Sequence, residues 1–106
     1  MSIIENLEAL LAKGQDNALL RYGLGNEYLK AGDRARAIEH LRACVGFDPG
    51  YSAAWKLLGK ALAENAQPND AIAAYENGIA AAEKKGDVQA AKEMRVFMRR
   101  LNKPQS

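Results

Sequence analysis

Apolar residues recur along the chain at helical spacing in six stretches, and short runs containing Gly, Pro, Asn and Asp separate them. The turn chemistry sets the bounds. Ser2 followed by Glu5 reads as a capping box for a first helix that ends near Gly14, and Gly32-Asp33 closes one helix and caps the next. Asp48-Pro49-Gly50 breaks the chain again, Pro68 suits a helix start, and Gly86-Asp87 opens the last segment. The pattern therefore predicts six helices, over 3–13, 17–31, 34–46, 52–65, 69–84 and 87–102.

The apolar positions also match one another at a spacing of 34 residues. Ile4, Ile38 and Ile72 form one series; Leu7, Leu41 and Tyr75 another; Leu11, Val45 and Ile79 a third. Leu20, Ala54 and Val88, and likewise Tyr28, Leu62 and Val96, extend the register to the last helix. Within one period stand Trp55, Leu58-Gly59 and Leu62, then Ala71 and Tyr75. The copy before it has Leu24-Gly25, Tyr28, Ala37, Leu41 and a closing Pro49, with Arg21 where Trp55 stands in the other. This resembles the tetratricopeptide repeat, whose motif runs W-x2-L-G-x2-Y, then A-x3-F, then P. In the later copy Leu62 replaces the tyrosine of the motif and Glu83 the proline.

The resemblance implies an all-α, right-handed α-solenoid of antiparallel helix pairs, each pair too small to bury its own apolar face until a neighbour stacks on it. One domain over 1–106 would comprise a half-repeat helix (3–13), two repeats (18–51 and 52–85) and a capping helix (87–102). In the 34-residue register Lys92 and Glu93 fall on the Leu-Gly places, so a polar surface is expected to end the array. Gly25 and Gly59 lie inside helices, where Gly costs about 1 kcal/mol against Ala, and their recurrence points to close helix approach.

At 106 residues there is room for one domain, and 48% hydrophobic with 26% charged residues is ordinary globular usage rather than that of a disordered tail. Residues 1–91 hold 10 Lys+Arg against 12 Asp+Glu, and residues 92–106 hold 5 against 1. That terminal excess reads as a solvated face rather than a nucleic-acid surface. The single cysteine allows no internal disulfide, no apolar run approaches a membrane span, and Glu5 and Glu8 interrupt the first apolar stretch where a signal peptide would not. A cytoplasmic protein is expected, with no membrane or nucleic-acid partner.

Candidate chemistry is sparse. His40, the one histidine, is expected among Glu39 and Arg42 on the outer face of its helix, with nothing placed to make it a general base. Cys44 falls in the apolar stripe as a small inert residue. The nine glycines form no phosphate-binding loop, and no Cys/His group has metal-ligand spacing. A non-catalytic chain without cofactor or metal is expected.

A binding surface remains. On helix 17–31, Leu20, Leu24 and Tyr28 mark the core side and Leu19, Tyr22, Asn26 and Leu29 fall on or near the opposite one. The corresponding side of helix 52–65 carries Ala53, Lys56, Lys60 and Ala63. In the tetratricopeptide family the first helices of successive repeats line a concave groove, so the resemblance places Leu19, Tyr22, Asn26, Leu29, Lys56 and Lys60 there. The partner expected is a protein or peptide, acidic with apolar side chains. Alternatively Leu19, Tyr22 and Leu29 pack against the first helix. The chain is then expected either to bind a partner as a monomer or to serve as a structural, self-associating subunit. Family members that grip the terminal carboxylates of heat-shock chaperones use Lys, Asn, Asn, Lys and Arg. The aligned residues here are Tyr22, Asn26, Leu57, Asp87 and Ala91, and only Asn26 agrees.

Overall fold

In the computed structural model, which describes residues 2–103, the capping signals of the sequence do start helices. Ser2 and Glu5 bond each other's backbone amides reciprocally and open α1 (Ile3–Ala12). Asn17 caps α2 (Ala18–Lys30), Asp33 caps α3 (Arg34–Phe47) and Asp87 caps α6 (Val88–Asn102), each through its side-chain oxygen. No side chain caps α4 (Ser52–Glu64), and α5 (Pro68–Lys85) begins on its proline, whose missing N–H is no loss there. No strand occurs among the described residues. The chain forms the expected all-α array, with α2 packed on α3, α4 on α5, and α3 and α4 joining the two pairs.

Close approach is what the internal glycines permit. A Cβ on Gly25 would stand 2.5 Å from Leu41 Cγ, and one on Gly59 would stand 2.5 Å from the Tyr75 ring. Leu41 and Tyr75 are themselves buried, so neither can move aside into solvent. The tight seam of each helix pair therefore depends on a missing side chain. A continuous core runs through the pairs, from Leu20 and Leu24 through Leu58 and Leu62 to Met94.

The 34-residue register fails at the last helix. Val88 is 63% exposed and Val96 37%, although they were to continue the buried series of Leu20, Ala54 and of Tyr28, Leu62. The cause is the length of α5, which has 18 residues where its counterpart α3 has 14. Helix α3 stops before Asp48-Pro49, whereas Glu83 stands in place of that proline and lets α5 run on to Gly86, which ends it in the left-handed conformation (φ 76°). The pairs α2/α3 and α4/α5 begin 34 residues apart, at 18 and 52 and at 34 and 68, but α6 begins at 88 rather than 86. Met94, fully buried, is thus the counterpart of Leu58, and Arg95 that of Gly59. Lys92 and Glu93 do not occupy the Leu-Gly places.

His40 is the second correction, because it is buried (5% exposed) rather than on an outer face. Helix α3 is covered by α2 and approached by Glu8 of α1, so its apolar stripe wraps further round than Ile38, Leu41 and Val45. The imidazole stacks on Tyr28 at 5.4 Å with the planes 1° apart, and Arg21 Nη1 lies 3.0 Å from its Nδ1. A guanidinium can only donate, so Nδ1 accepts and the neutral ring carries its proton on Nε2, 3.8 Å from Glu8 Oε1. Burial, and next the Arg21 charge, hold the His40 pKa below its ordinary value. Asp16 grips the other edge of the same guanidinium at 2.8 and 2.9 Å, and that bond lowers the Asp16 pKa. Cys44 is buried as expected, and burial pushes its thiol up to about 11, leaving it protonated and inert near neutral pH.

Candidate functional site

Three helices, α2, α4 and α6, present one side each to a common hollow. Its main part is a cavity of about 550 Å³ lined by Tyr22, Ala53, Lys56, Leu57, Lys60 and Phe97. A smaller one of about 230 Å³ adjoins it, lined by Asn26, Leu29, Lys30, Leu57, Lys60 and Glu64. Leu57 and Lys60 border both, so the two parts form one groove. Five of the six residues singled out from the sequence, Tyr22, Asn26, Leu29, Lys56 and Lys60, lie along it. Leu19 does not: it is 72% exposed and lines neither part.

Helix α1 does not cover this face. Leu7 packs beside Gly23, with its Cδ1 3.5 Å from where a Cβ there would be, and the Tyr22 side chain turns elsewhere. Tyr22 stacks on Tyr51, in the turn before α4, at 5.0 Å and 17° between planes. Its ring is thereby held half-buried at the groove edge. On the far side Phe97 rests against Tyr75, with ring centroids 5.8 Å apart. The apolar surface of the groove is thus built from aromatic rings that neighbours already fix, which lowers the entropy lost on contact with a partner.

The charges are less symmetric than two lysines one turn apart suggest. Lys56 Nζ donates to Glu93 Oε1 at 2.7 Å across α4 and α6, and this bond lowers the Glu93 pKa. Lys60 has no ion pair among the described residues. Phe97 belongs to an apolar stripe of the last helix with Ala90, Ala91, Met94, Met98 and Leu101, which by sequence reads as packing surface, and Glu93 is misplaced because the uniform 34-residue register hides the two-residue shift in the start of α6. The same shift moves the chaperone-clamp positions on α6 from Asp87 and Ala91 to Gln89 and Glu93, and the charge is again wrong. Among the described residues no three His, Cys, Asp or Glu side chains gather as a metal site requires, and no helix is long and apolar enough to cross a membrane.

The geometry has known counterparts. Residues 28–94 match the pattern of the tetratricopeptide repeat family. A TPR repeat-containing protein of Pseudomonas aeruginosa is 57% identical over 101 residues, covering 95% of this chain and 96% of that one. The solution structure of a Bordetella parapertussis protein superposes with a TM-score of 0.82 at 49% identity, over 96% of this chain and 89% of the other. The crystal structure of the Sgt2 TPR domain from Aspergillus fumigatus aligns with a TM-score of 0.79 at 27% identity, over 97% of this chain and 72% of that one.

Proposed function

The chain belongs to the tetratricopeptide repeat family, and from that premise we propose that it is a non-catalytic interaction module that holds a protein or peptide segment in the groove between α2, α4 and α6. One observation carries the reading: a hollow of about 550 Å³ joins fixed aromatic rings of α2 and α6 to two lysine side chains of α4. The residues proposed to line it are Tyr22, Asn26, Leu29, Lys56, Lys60, Leu57 and Phe97. Leu19, outside the hollow, is left out. The domain reads as two repeats, 18–51 and 52–85, flanked by α1 and α6, and acts as a monomeric adaptor or scaffold in the cytoplasm. Buried His40 and Cys44 serve packing, and no cofactor takes part.

The test compares wild type with a Lys56→Glu, Lys60→Glu double variant of equal helicity and melting temperature. A partner isolated on the wild-type chain and then purified is expected to perturb the Tyr22, Leu57 and Phe97 amides in nuclear magnetic resonance spectra. The double variant should lose that partner. Full retention by the double variant, with no perturbation along α2, α4 or α6, would remove the groove assignment.

A further inference from the structure

The groove carries three lysines, but only one is free to take a carboxylate, since Lys30 is held by Glu27 at 3.2 Å. Lys56 is held by Glu93 at 2.7 Å, so an acid brought to Lys56 meets a carboxylate already in place. Lys60, one turn on, has no ion-pair partner among the described residues. The one acid beside it, Glu64, lies 3.8 Å from Arg34 on the neighbouring pair. Lys60 also sits where the two parts of the groove meet, so a segment running through both must pass it. Next to it, Tyr22, Leu57 and Phe97 form an apolar seat whose two rings are already held by Tyr51 and Tyr75.

We propose that the groove selects a segment with a single carboxylate beside a large apolar side chain. The carboxylate bonds Lys60, the apolar side chain seats on Tyr22, Leu57 and Phe97, and Glu93 keeps Lys56 occupied and repels a second carboxylate. Glu93 is then a specificity residue that acts by exclusion. The inference rests on the groove reading above and adds the chemistry of the occupant and the division of duty between the lysines. Charge complementarity favours one acid over none, and the local repulsion favours one over two.

Three acetylated, amidated tripeptides test it on the full ¹⁵N-labelled chain: Ala-Phe-Glu, Ala-Phe-Gln and Glu-Phe-Glu, titrated to millimolar concentration. All three should shift the Tyr22, Leu57 and Phe97 amides, with Ala-Phe-Glu about two- to fivefold tighter than Ala-Phe-Gln, the range of a solvent-exposed ion pair. Glu-Phe-Glu should bind no tighter than Ala-Phe-Glu. Lys60→Gln should erase the preference for Glu over Gln, whereas Lys56→Gln, which leaves the Glu93 carboxylate without its partner, should reduce it by less. Glu93→Gln should turn Glu-Phe-Glu into the tightest of the three. Equal loss in both lysine variants, or an unchanged order in Glu93→Gln, overturns the division of duty while the groove shifts themselves leave the binding site standing. Absence of groove shifts with every probe removes the site, and the proposal with it.

Discussion

At the residue scale, the place where the earlier repeat leaves the motif is answered by a residue of the facing helix. Arg21 stands where the next repeat has Trp55, and His40 stands where it has Ala74. A large aromatic with a small neighbour has been exchanged for two polar side chains that bond one another at 3.0 Å, with Tyr28 stacked beneath and Asp16 holding the far side of the guanidinium. Arg21 was legible as a departure from the motif, but its pairing was not, because residues 19 apart meet only once α2 and α3 fold together. His40 was misread for the same reason: a helical wheel shows one helix, and the burial comes from its neighbours. The pairing predicts a pH dependence. Since the folded His40 pKa lies below its unfolded value, the unfolded chain binds more protons between the two. Stability is therefore full above about pH 6.5 and is lost as pH falls through that value toward the depressed one. Urea unfolding of the wild type should show the midpoint falling as pH drops below about 6.5, and His40→Gln, which keeps an acceptor for Arg21, should flatten that slope. An unchanged slope in the variant would assign the loss to carboxylates instead.

At the scale of elements, helix existence and bounds were well written in the sequence, because caps and turn residues act locally. Ser2, Asp33, Pro68 and Gly86 all sit within one residue of an observed helix end. The register of α6 was not, since a single residue near the end of the preceding helix decides it. With Glu83 in place of the motif's proline, α5 gains its last turn, and Glu83 then pairs with Arg95 of α6. A proline would have ended the helix, as Pro49 helps to end α3. The two registers make opposite predictions for α6. Met94 is fully buried against Gly78, so Met94→Ala should lower the unfolding free energy by about 2–5 kcal/mol. Val96→Lys should change it by less than about 0.5 kcal/mol, as surface substitutions do. Chemical denaturation of both variants decides between them, and a severe Val96→Lys beside a mild Met94→Ala would restore the uniform 34-residue register.

For the whole molecule, the groove is a product of stacking, since its walls belong to three helices that touch mainly through their partners. Helices α2 and α4 meet across α3, and α4 and α6 across α5, in an array measuring 46 × 32 × 18 Å. Gly78 of α5 is the point where the second of these junctions is tightest: a Cβ there would stand 2.5 Å from Met94 Sδ and 2.8 Å from Trp55 Cβ. Met94 can swing, but Trp55 Cβ moves only with the α4 backbone, so Gly78→Val must part α4, α5 and α6 at a cost of about 1–3 kcal/mol. The disturbance should stay at that end, because each pair in such an array leans on its neighbours alone. Gly78→Val is therefore expected to displace Phe97 and Glu93 and weaken binding of Ala-Phe-Glu at Lys60, while amide hydrogen exchange in α2 and α3 keeps its protection. Trp55, the only tryptophan, touches the disturbed junction from α4 and should report it by a shift in emission. Retained binding in this variant would mean that α6 is not needed for the groove, and loss of protection in α2 and α3 would mean that the two repeats fold as one inseparable unit.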